Sequence, residues 1–280
     1  MEKGKLYICP TPIGNLGDIT LRTLEALREV DLIAAEDTRH TIKLLNHYEI
    51  KKPLTSYHQH NRREKGTELI GKLNDGVNIA LVSDAGMPGI SDPGEELIRA
   101  AIDEGIEVIA LPGPTASITA LLVSGLPTDQ FTFYGFLSPK KKERQRELRE
   151  IEGYKATSII YEAPHRILGL LEDMADILAD RRISISRELT KRYEETFRGT
   201  VGEALEAFRE SPLRGEFVIV IEGNTLEAKE DDIDIEGALR AYLDKGYTKK
   251  EAVGRVAREY NLPKNQVYKV SLEIGGVSDL

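Results

Sequence analysis

The stretch that decides the fold is Asn78-Ile-Ala-Leu-Val-Ser-Asp-Ala-Gly-Met-Pro-Gly-Ile-Ser-Asp-Pro-Gly94. Ile79 to Val82 predict a short buried strand, and the chain then enters a loop rich in glycine, proline and Ser-Asp pairs. An acidic residue just after a central strand of an alternating α/β chain lies at the edge where open sheets bind ligands. Asp84 is therefore predicted to contact a ligand, with bracing of the loop as the alternative.

The second Ser-Asp pair of this stretch has a different interpretation. Asp92 fits the N-cap of a helix, because Pro93 then occupies the first helical position, where its missing N–H costs nothing. We therefore expect Asp92 to start a helix that runs through Ala101.

Composition limits the class of protein. The 280 residues, 40% of them hydrophobic, are enough for two domains with substantial cores. The single cysteine, Cys9, excludes an intramolecular disulfide, and neither a membrane-spanning apolar run nor a signal-peptide core is visible, so we expect a soluble cytoplasmic protein. A net charge of −9 argues against a protein that coats nucleic acid through bulk electrostatics, although a local basic face is compatible with it.

The order of apolar runs and amphipathic segments predicts a parallel-sheet α/β domain over residues 1–113. Its strands are expected at Leu6 to Cys9, Leu32 to Ala35, Ile79 to Val82 and Val108 to Leu111. Helical patterns run through 20–29, 39–47, 62–73, 95–103 and 116–124, the last of these beyond the domain boundary.

The pattern changes after Pro127, and residues 114–226 predict a second α/β domain. Its strands are expected at Phe131 to Tyr134, Ser158 to Tyr161, Ile183 to Arg187, Glu194 to Arg198 and Phe217 to Ile221, with helices near 165–178 and 201–210. Several of these strands are separated by too few residues for a crossover helix, so the sheet should be mixed or largely antiparallel.

A small helical unit is predicted over residues 237–280, after an acidic linker at 227–236. Thr248 would cap a helix whose apolar face is Ala252, Val253, Val256 and Ala257, and Asn261-Leu-Pro263 would turn the chain into a second helix bearing Val267 and Tyr268. This is the pattern of a helix-turn-helix unit.

Two further loops follow predicted strands. Thr11-Pro-Ile-Gly-Asn-Leu-Gly-Asp18 lacks the Gly-x-Gly-x-x-Gly spacing of a dinucleotide site, and Gly14 and Gly17 could serve as turn residues alone. In Leu111-Pro-Gly-Pro-Thr-Ala-Ser117, Thr115 or Ser117 could cap the next helix, or the turn could face a ligand.

Six stretches in this order resemble the tetrapyrrole methylase superfamily, and within it the ribosomal RNA small subunit methyltransferase I branch. They are Thr11-Pro-Ile-Gly-Asn-Leu-Gly-Asp-Ile-Thr20, Ala35-Glu-Asp-Thr-Arg-His40, residues 82–94, Leu111-Pro-Gly-Pro-Thr115, Tyr161-Glu-Ala-Pro-His-Arg166 and Gly215-Glu-Phe217. Ser83-Asp84-Ala85 stands where tetrapyrrole-modifying members have Gly-Asp-Pro, which favours the rRNA branch. A tetrapyrrole or other small-molecule methyltransferase is one alternative, and a non-enzymatic nucleic-acid-binding protein is the other.

The resemblance implies two α/β domains of the tetrapyrrole-methylase type and a homodimer, with S-adenosylmethionine in the cleft between the domains. It implies 2′-O-methylation of a decoding-centre cytidine of small-subunit rRNA, within the 30S subunit. The positions that it assigns to the cofactor are Pro12, Asp84, Gly86, Met87, Ile90, Thr115, Ala116, Tyr161, Glu162 and Ala163.

A base would help the ribose 2′-hydroxyl to attack, and the family pattern assigns none. The candidates are Glu36, Asp37, His58, Glu162, His165 and Glu188. Each has a structural alternative, such as an ion pair of Glu36-Asp37 with Arg39, or a helix start at His165. We expect no metal site.

The segment 139–149 concentrates basic residues in an acidic chain. It predicts a phosphate-contacting face made by Lys140, Lys141, Lys142, Arg144 and Arg146, whereas a solvated helix face is the alternative.

Overall fold

The structure is a computed structural model, and it describes residues 2–209, 213–224, 234–260 and 262–274. The chain divides into two compact units, Met1–Asn224 and Thr225–Leu280. The first unit contains two sheets and the second contains helices. No helix in the described ranges is long and apolar enough to cross a membrane.

The first sheet has five parallel strands in the order β3-β2-β4-β1-β5. These are β1 Leu6–Ile8, β2 Leu32–Ala35, β3 Leu54–Ser56, β4 Ile79–Val82 and β5 Val108–Ala110. All four residues of β4 are buried, as a continuous apolar run in a sheet covered on both faces requires. The predicted central strand is confirmed, whereas β3, only three half-buried residues long, has too weak an apolar pattern to be predicted.

Helices cover both faces of this sheet: α1 Leu21–Glu29, α2 Thr38–His47, α3 Arg62–Asn74 and α4 Glu95–Asp103. Leu27 of α1 and Leu45 of α2 pack in one apolar cluster, while Leu73 of α3 and Leu97 of α4 pack in the cluster on the opposite face. The predicted helices of the described chain start and end within two residues of observed ones.

The prediction that Asp92 caps α4 is wrong. The N-cap is Gly94, and α4 begins at Glu95. Gly94 lies so close to Gly89 that a Cβ there would come within 3.1 Å of the Gly89 nitrogen. The loop therefore folds back on itself before the helix starts, and Asp92 belongs to the loop.

The second sheet is mixed, as predicted, in the order β6-β7-β10-β8-β9. Only β6 and β7 pair in parallel, and the other pairs are antiparallel. The strands are β6 Phe131–Phe136, β7 Thr157–Glu162, β8 Arg182–Arg187, β9 Glu195–Thr200 and β10 Phe217–Ile221. One face packs against α5 Ala116–Ser124, and the other packs against α6 Lys141–Glu152, α7 Ile167–Leu178 and α8 Val201–Arg209.

The described residues of the C-terminal unit form three helices, α9 Ile235–Leu243, α10 Lys249–Glu259 and α11 Lys264–Glu273. Thr248 and Glu251 form a capping box at the start of α10, and the predicted apolar face of α10 is buried against Leu239 and Val267. Tyr268, by contrast, is exposed. Residues 227–233 of the predicted linker lie outside the described residues, and so does Asn261 of the predicted turn. The last two residues of the predicted linker, Ile235 and Glu236, belong to α9.

A buried ion pair attaches α6 to α7. Arg144 is 8% exposed and Asp173 is 1% exposed, with Arg144 Nε 2.8 Å from Asp173 Oδ2. Gln145 donates to the other carboxylate oxygen at 2.8 Å. The predicted contact of Arg144 with RNA is therefore wrong, because its guanidinium is turned into the protein and paired there.

Replacing Asp173 by alanine should lower the free energy of unfolding by about 3–5 kcal/mol, because it leaves the Arg144 charge buried without a partner. Chemical denaturation of the purified variant measures this. The matched control is Glu172→Ala, at the exposed neighbouring position of α7, which should change stability little. Equal stabilities of the two variants would contradict the structural role of the pair.

Candidate active site

A cavity of about 790 Å³ lies where the carboxyl edge of the first sheet faces the second sheet. The loops after β1, β4 and β5 all contribute to its wall, as do residues of β7 and β10. Eight of the predicted cofactor positions line it: Pro12, Asp84, Gly86, Met87, Ile90, Thr115, Ala116 and Tyr161. Glu162 and Ala163 are not among the lining residues.

Backbone hydrogen bonds join the loops after β1 and β4. Thr11 N donates to Gly86 O at 2.9 Å, and Gly86 N donates to Thr11 O at 3.0 Å. The Thr11 hydroxyl donates to Ser83 O, at 3.1 Å. Gly86 has a φ of 84°, a conformation that residues with a Cβ rarely adopt, which explains the glycine at this position. These bonds give the cavity a fixed wall.

Asp84 braces the loops and also borders the cavity. Its Oδ1 accepts a hydrogen bond from Asp37 N at 3.1 Å, which ties the loop after β4 to the start of α2. Asp84 therefore braces the loop after β4, as the alternative interpretation expects, and it also lines the cavity. Its contact with a ligand stays a prediction.

Four carboxylates interact with one another here: Glu36, Asp84, Asp92 and Glu216, of which all but Glu36 line the cavity. Burial, followed by the charges of Glu36, Glu216 and Asp84, raises the pKa of Asp92 to about 7. Burial also raises the pKa of Glu36, and the neighbouring carboxylates add to it. Asp92 and Glu216 line the cavity, and the sequence interpretation missed both as site residues. The repeated Ser-Asp pair and the Gly215-Glu-Phe217 motif were the available signals.

The loop before β10 requires glycine at position 215. Gly215 has a φ of 73°, and a Cβ there would lie 2.3 Å from Glu188 Oε1. Glu188 itself has a φ of 52°, and Ser91, across the cavity wall, has a φ of 63°. Such conformations are costly for residues other than glycine and are often found at functional sites.

Tyr161 connects α5 to the second sheet at the cavity. Its hydroxyl oxygen accepts a hydrogen bond from Ser117 N at 3.1 Å, and its ring contacts the edge of Phe133. Thr115 occupies the N-cap of α5, but its hydroxyl bonds to the Ser117 hydroxyl instead of capping the helix. Thr115 therefore borders the cavity as a residue of the turn.

Three of the proposed bases lie at or near the cavity: Glu36, which belongs to the carboxylate cluster, and Asp37 and Glu188, which are both paired with cations. Asp37 is the N-cap of α2, and its hydrogen bonds with Arg39 lower its pKa to about 2. A carboxylate with so low a pKa is a poor base near neutral pH, so the catalytic expectation for Asp37 is not supported. Glu188 lines the cavity and pairs with Lys191 at 2.9 Å.

The other three proposed bases, Glu162, His165 and His58, do not line the cavity. Glu162 is fully buried, accepts from Ala163 N at 2.8 Å and lies 3.0 Å from Arg166 Nε, so the structure gives it a structural role. Burial raises its pKa. His165 is exposed, and His58 lies beyond the end of β3; neither is among the lining residues.

The raised pKa of Asp92 predicts a pH-dependent stability. Its value of about 7 in the folded protein exceeds the ordinary value of 3.8, so its stabilising contribution is complete below about pH 4 and is lost as pH rises through 7. Between about pH 4 and pH 7, the wild type should therefore lose stability relative to Asp92→Asn. Urea unfolding midpoints of the two proteins at several pH values measure this difference. Parallel curves for the two proteins would contradict the pKa. Asp103→Asn, at the exposed end of α4, should follow the wild type.

Comparison with known proteins is consistent with this geometry. Residues 5–205 match the family model for Tetrapyrrole (Corrin/Porphyrin) Methylases. Among solved structures, diphthine synthase is similar with a TM-score of 0.61 at 16% identity, covering 82% of this chain and 94% of that one. Uroporphyrin-III C-methyltransferase from Thermus thermophilus, complexed with S-adenyl homocysteine, has a TM-score of 0.56 at 16% identity and covers 80% of this chain and 100% of that one. These structures share the fold.

Relatives with much higher identity are named ribosomal RNA small subunit methyltransferase I. The Halalkalibacterium halodurans protein is 49% identical over 96% of this chain and 95% of its own length. The Synechocystis sp. protein is 50% identical, over 97% and 98%, and the Bacillus subtilis protein is 48% identical, over 95% and 94%. The chain therefore belongs to the tetrapyrrole methylase family and, within it, to the ribosomal RNA small subunit methyltransferase I proteins.

Proposed function

We propose that this protein transfers a methyl group from S-adenosylmethionine to the ribose 2′-oxygen of a decoding-centre cytidine in small-subunit rRNA. The observation that carries the proposal is the cavity at the carboxyl edge, whose wall is built from stretches 11–20, 82–94 and 111–115. The near-complete coverage of the rRNA methyltransferase relatives supports the substrate class. A 30S substrate, a homodimer and a cytoplasmic location are further parts of the proposal.

The lining residues fit S-adenosylmethionine. A cavity of about 790 Å³ is within the range of small-molecule sites. Asp84 and its neighbouring carboxylates offer acceptors for an ammonium group and for ribose hydroxyls, and Met87, Ile90 and Leu189 offer apolar walls for an adenine. The eight lining residues predicted for the cofactor would hold it. When bound, it supplies a methyl group on a positively charged sulfur.

The chain's own contribution is mainly orientation. The fixed wall made by Thr11 and Gly86 allows the acceptor oxygen to be held in line with the methyl carbon, which dominates when the methyl donor is already activated. As the 2′-oxygen forms its bond to carbon, its proton must leave. Asp92 lines the cavity, and its pKa of about 7 suits it to accept that proton.

Exposed cations of α6 and its N-cap would contact rRNA phosphates. Lys140, Lys141, Lys142 and Arg146 are exposed, whereas Arg144 is excluded by its burial. Lys140 lies 3.1 Å from Glu143 in an exposed pair, which breaks readily. Lys141 lies 3.4 Å from the buried Asp173, whose charge is also paired with Arg144. The charges of the exposed cations are available for phosphates.

The function is tested by transfer of labelled methyl groups to 30S subunits from a strain that lacks the modification, with uroporphyrinogen III as the competing substrate. We expect label in the rRNA, as 2′-O-methylcytidine on nucleoside analysis. Label in the tetrapyrrole alone would favour the alternative function.

Asp84→Ala should weaken S-adenosylmethionine binding by about tenfold to a hundredfold, because hydrogen bonds to a charged group contribute about 1.5–3 kcal/mol. Calorimetric titration measures the Kd, and a thermal melt checks the fold, since Asp84 also braces α2. Asp103→Ala serves as the exposed control. Wild-type affinity in a folded Asp84→Ala protein would remove this loop from the cofactor site.

Replacing Lys140, Lys141, Lys142 and Arg146 by glutamine should raise the KM for 30S subunits and reduce its dependence on salt, by up to about one log–log unit per lost phosphate contact. Cofactor affinity should not change. The charge-matched control replaces the exposed cations Arg22, Arg28, Lys51 and Lys155 by glutamine. If both variants have the same salt dependence, α6 is a solvated face.

A further inference from the structure

The cavity extends beyond the residues proposed for the cofactor. Its further lining includes one residue of the loop after β1 and four residues of α2: Leu16, His40, Thr41, Lys43 and Leu44. We call these five residues the α2 subsite. None of them takes part in the backbone hydrogen bonds between Thr11 and Gly86, and none is one of the four interacting carboxylates.

Thr41 carries an unpartnered hydroxyl at this place. The residue is 3% exposed and borders the cavity, and its hydroxyl forms no hydrogen bond within the described chain. Because Thr41 borders the cavity, this hydroxyl is free to bond to a polar group of a ligand bound there.

The charge of the subsite is opposite to that of the carboxylate wall. Lys43 forms no ion pair with any described residue, whereas Lys191, the other lysine that lines the cavity, is paired with Glu188. A cavity lined by Asp84, Asp92 and the unpaired Lys43 offers charges of both signs, so it can bind a cationic group and an anionic group.

Two leucines give the subsite an apolar surface. Leu16 is 40% exposed although it borders the cavity, and Leu44 is 8% exposed. The Tyr48 hydroxyl, one turn beyond Leu44, donates to the Leu16 carbonyl, which fixes the loop after β1 against α2. The apolar surface is therefore held in place.

We infer that the α2 subsite receives the target nucleotide of the RNA, an inference that rests on the proposed function. The base lies against Leu16 and Leu44, the Thr41 hydroxyl bonds to its polar edge, and Lys43 binds the adjacent phosphate. A nucleotide splayed from single-stranded RNA presents these three features together: a flat apolar face, a hydrogen-bonding edge and a fixed negative charge. Its ribose then lies between the subsite and the cofactor residues, where methyl transfer needs it.

Two variants test the subsite in the full-length protein. Thr41→Val removes the hydroxyl while keeping its shape, and Lys43→Gln removes the charge. Thr41→Val should lower kcat/KM for 30S subunits about two- to tenfold without loss of thermal stability, since the hydroxyl has no protein partner to lose. Lys43→Gln should raise KM and reduce the log–log salt slope by about one.

The control is Lys51→Gln, an exposed lysine just beyond the end of α2. The Kd for S-adenosylmethionine should be unchanged in all three variants, and equilibrium binding of 30S subunits in the presence of S-adenosylhomocysteine reports docking independently of turnover. If wild type is active and both subsite variants match Lys51→Gln, the inference is wrong. Weakened cofactor binding by Lys43→Gln would also overturn it, by assigning the subsite to the cofactor. A wild type that neither binds nor methylates 30S subunits would instead refute the proposed function, and the inference with it.

Discussion

Parallel pairing of the first sheet is the constraint on which the site depends. Because all five strands run in one direction, their carboxyl ends meet at one edge, and the loops after β1 and β4 become neighbours although they are far apart in sequence. The Thr11–Gly86 bridge then joins the two loops directly. The residues that line the cavity are positioned by this carboxyl edge of the first sheet and by the second sheet, which faces it.

Electrostatic separation follows from that arrangement. The carboxylates Glu36, Asp84, Asp92 and Glu216 lie close together, and burial, reinforced by their mutual repulsion, raises the pKa of Glu36 and of Asp92. Exposed cations lie on α2, where Lys43 has no ion pair with a described residue, and along α6, where Lys140 and Lys141 are paired with carboxylates. A protein with a net charge of −9 can therefore combine a site for a cationic methyl donor with surfaces for an anionic RNA.

The sequence predicts those parts of the fold that local periodicity determines. The buried run of β4 and the amphipathic helices are local patterns, and the sequence places both close to their observed bounds. The sequence misassigns Asp92 and Arg144 because their positions depend on tertiary structure: a loop that folds back at Gly94, and a carboxylate on α7. Glu162 follows a strong motif, yet strand alternation turns its side chain into the core while Tyr161 faces the cavity.

The most direct test of the central claim is a crystal structure of the protein with S-adenosylhomocysteine. We predict electron density for the ligand in the cavity between the two sheets, with Asp84 within hydrogen-bonding distance and the backbone of Gly86 against it. The α2 subsite, at Thr41 and Lys43, should remain open for the nucleotide. Density at any other place on the protein, or a ligand that fills the α2 subsite and leaves Asp84 without a contact, would contradict the assignment of this edge of the sheet to the cofactor.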